Sequence, residues 1–198
     1  MSSNDSLVIF LHGIGASGTQ LIPLAQSWRT SLPNTKFAAP DAPMRHQYGH
    51  RWFSTDGNPL DPARILTARE AFDAFMNDVV RREGFVGRHD RIAFVGVSQG
   101  AIVALDAVAS GRWKLGALVS FAGLLPPQPV SPASKSTPLL LVHGQADTTI
   151  PAAASTLAAA QFGAAGFDVE FDIEPGVGHT ISTVGARKAL FFLKKSLM

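Results

Sequence analysis

Short apolar runs alternate with longer stretches of mixed polarity along most of the chain. Residues 7–11 are uninterruptedly apolar, with β-branched side chains among them, and Gly13 follows closely. That is the pattern of a strand buried on both faces. Residues 92–97 and 139–142 are apolar runs of the same kind, and residues 118–121 form another short strand. Residues 36–39 form a weaker strand stopped by Pro40, and residues 168–173 alternate polar and apolar as an edge strand does. Helical signals lie between these runs. Residues 18–31 put Leu21, Leu24 and Trp28 on one side of a helix, with Pro33 as its stop signal. Asp61 and Pro62 supply an N-cap and a proline at the first helical position. Phe72, Phe75, Met76 and Val79 then fall at i, i+3, i+4 and i+7, a stripe that reads as core. Residues 101–105 are helix-compatible. Residues 152–165 are alanine-rich, with Pro151 at the start and Gly166 as a C-cap, and residues 183–193 form a terminal helix. Residues 40–60 form a long loop rich in Pro, Gly and His, a length that in compact domains tends to carry function. Residues 126–138 read as a Pro/Ser-rich surface connection.

This alternation predicts an α/β fold: a mainly parallel central sheet with helices on both faces. A chain of 198 residues with no repeat and no linker is expected to form one domain, 1–198, with one sizeable core. The net charge is +2, and the basic residues are scattered, pairing only at Arg81-Arg82, Arg187-Lys188 and Lys194-Lys195. No basic stripe with interleaved aromatics exists, so no nucleic-acid partner is expected. There is no cysteine, which removes disulfides, thiolate nucleophiles and thiolate metal sites. Neither metal nor cofactor is expected. The first six residues lack a basic n-region, and residues 7–11 are too short for a leader core or a membrane span. The expectation is a cytoplasmic protein without stable membrane insertion.

The candidate chemistry centres on Gly96-Val97-Ser98-Gln99-Gly100, a G-x-S-x-G sequence between a predicted strand and a predicted helix. A serine on such a turn stands exposed at the top of a sheet, and its small neighbours admit the tight backbone. A serine hydroxyl needs a base, and the base needs an orienting acid. His179, in the glycine-rich loop after the last predicted strand, is the best-placed base. Asp147, after the run 139–142, is the acid that falls between serine and histidine in chain order. Asp168, Asp172 and Glu174 compete for that role but read better as a solvated face. His12 and His143 each precede a glycine at a strand end and read as structural. His46, His50 and His89 have no supporting pattern. An oxyanion needs two backbone donors. The Gln99 N–H is the first, and the Ile14 N–H, in the glycine-rich loop after residue 11, is the second. That loop lacks the lysine and the spacing of a phosphate-binding loop.

Together, Leu11-His12-Gly13-Ile14-Gly15, Gly96-Val97-Ser98-Gln99-Gly100, Asp147-Thr148-Thr149-Ile150-Pro151 and Gly178-His179-Thr180-Ile181 resemble the phospholipase/carboxylesterase family of α/β-hydrolases. That family includes bacterial carboxylesterases and acyl-protein thioesterases. The resemblance implies the α/β-hydrolase fold, a Ser98–Asp147–His179 triad, and Ile14 and Gln99 as oxyanion-hole donors. It also implies that Arg51-Trp52-Phe53 and Leu124-Leu125-Pro126 flank an acyl pocket. One departure is visible: Ala122-Gly123 stands where the family usually has Ser-Gly. No insertion is long enough for a separate cap domain, so an open, shallow site is expected. Trp52, Phe53, Leu124, Leu125, Ile150 and Ile181 are candidates to line an apolar acyl groove, with core packing as the competing reading. The activity expected is cofactor-free serine carboxylesterase action on short- to medium-chain esters. The alternatives are an acyl-protein thioesterase or lysophospholipase and, in another class, a non-catalytic binding module, although such modules typically lose a triad member. A small-molecule ester is the expected partner, and the apolar pocket rim is a candidate homodimer surface.

Overall fold

In a computed structural model, which describes residues 5–58 and 61–198, the chain forms eight strands and five α-helices. In chain order these are β1 (Ser6–Leu11), α1 (Ile22–Trp28), β2 (Thr35–Ala38), β3 (Met44–His46), β4 (Gly49–Arg51), α2 (Pro62–Glu83), β5 (Ile92–Val97), α3 (Gln99–Ala109), β6 (Ala117–Phe121), β7 (Leu139–Gly144), α4 (Ala153–Ala164), β8 (Val169–Glu174) and α5 (Thr183–Leu197). Six strands make the central sheet in the order β2-β1-β5-β6-β7-β8. Every neighbouring pair in it is parallel.

The alternation of side chains along β1 separates two cores. Leu7, Ile9 and Leu11 face one apolar cluster, filled from α2, α3 and α4 by Phe72, Met76, Leu105 and Phe162. Val8 and Phe10 face the other, filled from α1 and α5 by Trp28, Phe192 and Leu193. The helices therefore cover both faces, and the uninterrupted apolarity of residues 7–11, 92–97 and 139–142 follows from burial on two sides. β8, the edge strand, alternates instead: Glu170 pairs with Lys195 at 3.0 Å, and Asp172 pairs with Lys188, both lysines being on α5.

Most of the expected elements form, and the departures have local causes. Asp61 caps α2 as expected, its Oδ1 accepting the Ala63 N–H at 2.8 Å, and Gly84 ends that helix at φ 85°. Residues 18–31 do not form one helix. A 3-10 turn occupies Gly18–Leu21, and α1 starts at Ile22 because Pro23, with no N–H to donate, fits only a first turn. Gly166, expected as the C-cap of α4, lies one residue beyond the Ala165 cap, at φ 87°. The long loop holds a small antiparallel ribbon, β3–β4, that neither strand propensity nor alternation announces. The ribbon is held from outside: Gly15 N–H donates to His50 O at 2.8 Å, and His50 N–H donates to Ala16 O at 2.9 Å. The last two positions of that loop, 59 and 60, lie outside the described residues.

Candidate active site

The chain passes from β1 to β2 on one side and then crosses to β5 on the other. The loops after β1 and β5 therefore diverge above the sheet, where an open parallel sheet offers its crevice. Ser98 stands at that point, between β5 and α3, with φ 52° and ψ −118°. A non-glycine residue there stores on the order of 1–3 kcal/mol of strain, which the surroundings must offset. Part of the restraint is the Ser98 N–H, which donates to Phe121 O at 3.0 Å. The two glycines of the motif are required by space. A Cβ at Gly100 would lie 2.0 Å from Leu11 O, and one at Gly96 would lie 2.6 Å from Ala101 N.

The Gln99 side chain has a role that the motif does not announce. It is buried, its Oε1 accepts the Trp52 N–H at 2.7 Å, and its Nε2 donates to Phe53 O at 2.9 Å. It therefore fastens the segment after β4 to the serine turn. Its backbone N–H opens α3 and has no intrahelical acceptor. The Ile14 N–H likewise has no protein acceptor among the described residues. Its direction is set by His12, a buried residue. His12 Nε2 accepts the Ala42 N–H at 2.9 Å, so the proton is on Nδ1, which donates to Gly13 O at 2.7 Å. In a trans peptide the next N–H points opposite to that carbonyl, so Ile14 N–H faces away from the imidazole. Burial, the largest influence on His12, lowers its pKa below 6.5 and keeps the ring neutral.

The loops after β7 and β8 are tied together by Ala146 N–H to Val177 O at 2.8 Å and Gln145 N–H to Glu174 O at 2.9 Å. They carry Asp147 and His179. His179 Nδ1 meets Asp147 Oδ2 at 2.6 Å, which leaves Nε2 as the free nitrogen. Asp147 Oδ1 accepts the Thr149 and Ile150 N–H groups at 2.8 and 3.0 Å. Burial alone would raise the Asp147 pKa. The bonds from Ile150, His179 and Thr149 together outweigh it and hold the carboxyl below its ordinary value, so it stays charged. His179, Ser98 and Ile14 line one cleft of about 300 Å³. No hydrogen bond joins Ser98 Oγ to His179, a link that often tightens only with substrate bound.

His143, read from sequence as structural, does bond a neighbouring loop, and its partner is the candidate acid itself. Its buried Nε2 lies 3.1 Å from Asp147 Oδ2 and 2.8 Å from Ile150 O; both are acceptors, so Nε2 carries the proton. Its Nδ1 is 2.6 Å from Ser155 Oγ. Glu174, expected on a solvated face, is buried instead and accepts the Ser182 hydroxyl at 2.7 Å.

A second, larger cavity of about 560 Å³ opens from Ser98 along α3. It is deeper than the shallow site expected, because the first half of α2 walls it opposite α3. Trp52, Phe53 and Leu124 line it. Leu125, Ile150 and Ile181 do not. Leu125 packs onto the core of the α2–α3 face. Ile150 is spent on the histidine–aspartate loops through its backbone. Ile181 packs on the opposite face of the sheet, beside α1 and α5. The walls that sequence reasoning missed come from helix faces: Phe72 on α2, Ile102 and Val103 on α3. The sequence marks Phe72 only as part of a stripe that reads as core, and Ile102 and Val103 only as part of a helix-compatible run.

A parallel sheet wrapped by helices, with serine, acid and histidine in that chain order after β5, β7 and β8, defines an α/β-hydrolase. The model of the phospholipase/carboxylesterase family matches residues 2–197, and the chain belongs to that family. It is similar to a probable carboxylesterase of Oryza sativa subsp. japonica, 32% identical over 90% of this chain and 73% of the relative. It is also similar to acyl-protein thioesterase 1 of Neurospora crassa, 28% identical over 91% of this chain and 82% of that one. Among solved structures, esterase PE8 superposes with a TM-score of 0.84 at 33% identity, covering 98% of this chain and 94% of its own.

Proposed function

We propose that the protein is a cofactor-free serine carboxylesterase acting on short- to medium-chain esters, with Ser98, Asp147 and His179 as its triad. The observation that carries this reading is the 2.6 Å Asp147–His179 bond in a cleft that also exposes Ser98 on its strained turn. In this mechanism Ser98 Oγ attacks the ester carbonyl carbon while His179 Nε2 takes its proton. Asp147, fixed by two backbone N–H groups and kept ionised, stabilises the imidazolium. The negative oxygen of the tetrahedral intermediate is held by the backbone N–H groups of Ile14 and Gln99; a donor of this kind is worth on the order of 3 kcal/mol in the transition state. The alcohol leaves with the proton from His179. Water, activated by the same nitrogen, then releases the acid and restores Ser98.

The test is a burst assay on p-nitrophenyl acetate to octanoate, with wild type beside Ser98→Ala. Wild type should turn over. The variant should lose at least about 10⁴-fold in kcat while melting at the same temperature. Turnover by the variant at the wild-type rate would overturn the mechanism. The likeness to acyl-protein thioesterase 1 favours thioesters as a second reading, and esters and thioesters of equal acyl length separate the two. We also propose a cytoplasmic location: the cysteine-free sequence makes no demand for an oxidising compartment, and fractionation of the host tests it. Among the described residues no helix is long and apolar enough to cross a membrane.

A further inference from the structure

The larger cavity has two unlike ends. Ser98 stands at the start of α3 and Asp106 near its end, so the groove runs about 12 Å along that helix. Its middle is apolar, walled by Trp52, Phe72, Ile102 and Val103. Its far wall is not. There Arg69 of α2, Asp106 of α3 and Arg112 just beyond α3 meet.

Asp106 is saturated. Its Oδ1 accepts Arg69 Nη2 at 2.8 Å and Gln128 Nε2 at 2.7 Å, and its Oδ2 accepts Arg69 Nε at 2.9 Å and Arg112 Nη1 at 3.0 Å. Arg69 spends Nε and Nη2, the latter also on Gln128 Oε1, but Nη1 makes no hydrogen bond among the described residues. Arg112 spends Nε on Asp73 and Nη1 on Asp106 and Ser110, but Nη2 makes none among the described residues. The wall has spare N–H donors and no spare acceptor. Asp73 lies behind the cavity and does not line it, and the charged residues that do are three arginines, counting Arg64, against one aspartate. A purely apolar chain end pushed here would strip water from these donors without replacing it.

We propose that this wall recognises a terminal carboxylate, so that the preferred acyl group is a medium-chain dicarboxylic half-ester: ester carbonyl at Ser98, apolar methylenes through the middle, free carboxylate on Arg69 and Arg112. A planar carboxylate suits the forked geometry of guanidinium donors. The inference rests on the esterase reading above and names its substrate class.

The experiment compares two p-nitrophenyl esters of equal carbon number, octanoate and hydrogen suberate, together with the acetate, on wild type, Ser98→Ala, Arg69→Gln and Arg112→Lys at neutral pH. Wild type should favour the suberate half-ester over octanoate by at least about tenfold in kcat/KM, mostly through KM. Suberate should likewise inhibit acetate turnover at lower concentration than octanoate does. Arg69→Gln should erase the preference, and Arg112→Lys, which keeps the charge and loses the fork, should reduce it. The inhibition arm uses wild type alone and stands even where a variant does not fold. A wild type that turns over acetate and octanoate but gains nothing from the second carboxylate overturns this inference alone. A wild type that turns over none of the three, or a Ser98→Ala that turns over all, overturns the esterase reading beneath it.

Discussion

On one side of Ser98, the loops after β7 and β8 hold Asp147 with two backbone N–H groups and two imidazoles, and every side-chain polar atom of Asp147 and His143 has a partner within 3.1 Å. On the other side, α2 and α3 enclose an apolar groove whose polar groups are gathered at its far end and are only partly used. The first flank is built for one geometry. Each of its groups is placed by adjacent residues at the end of a strand or in the turn just after it, and any change there should act on every substrate alike. The second flank is assembled from side chains tens of residues apart on two helices, and changes there should reorder substrates rather than abolish turnover.

The strongest test of that contrast is Asp147→Asn. It should lower kcat by on the order of 10⁴-fold for acetate and octanoate esters equally, since it disturbs the tautomer of His179 rather than the groove. A loss confined to long chains would break the comparison. His143→Leu removes one donor from Asp147 Oδ2, and a small displacement of the carboxylate should cost about ten- to a hundredfold in kcat with KM unmoved. His143→Gln, which can still donate there, should recover most of it, and a shifted acidic limb in the pH–rate profile would separate this role from packing alone. Gln99→Ala keeps the backbone donor but releases Trp52 and Phe53. It should raise KM for octanoate by about tenfold while acetate suffers less, placing this residue with the groove rather than with the chemistry.

The smallest effect concerns stability. His12 is neutral in the folded chain with its pKa lowered, chiefly by burial. The unfolded chain takes up that proton from about pH 6.5 downward, so it binds more protons than the folded chain there. Stability should therefore fall as pH drops below 6.5, until the folded ring also protonates. Asp147, held below 3.8, keeps its charge across this range. Melting curves between pH 7 and pH 5, with His12→Gln as the control, read the slope; a wild-type melting temperature flat across that range would refute it.

What the sequence carried follows the same division. The strands, the Ser98 turn, and the Asp147 and His179 loops are legible because each depends on a few adjacent residues: an apolar run, a glycine where a backbone passes within 2.0 Å of a missing Cβ, a proline or glycine stop. The β3–β4 ribbon was not legible, since its hydrogen bonds to Gly15 and Ala16 come from a distant loop. The groove was half legible. Trp52, Phe53 and Leu124 line it, but Leu125, Ile150 and Ile181 turn elsewhere, because an apolar residue in a loop does not declare which of two cores it will join. The Arg69–Asp106–Arg112 cluster could not be read at all, because which charges meet depends on how α2 lies across α3.

The three tryptophans are spread over this architecture in a useful way. Trp52 lines the groove beside the serine turn, its indole N–H on His12 O at 2.8 Å. Trp113 bonds Asp73, the carboxylate that steadies Arg112 behind the far wall, at 2.7 Å. Trp28 is buried on the opposite face of the sheet. The molecule thus carries its own optical probes: one indole in the wall of the groove, one behind its far end, and a third on the opposite face as an internal reference. With single-tryptophan variants, the arrival of a ligand, and how far along α3 it extends, becomes a matter of emission wavelength and quenching, observable without any bond being broken.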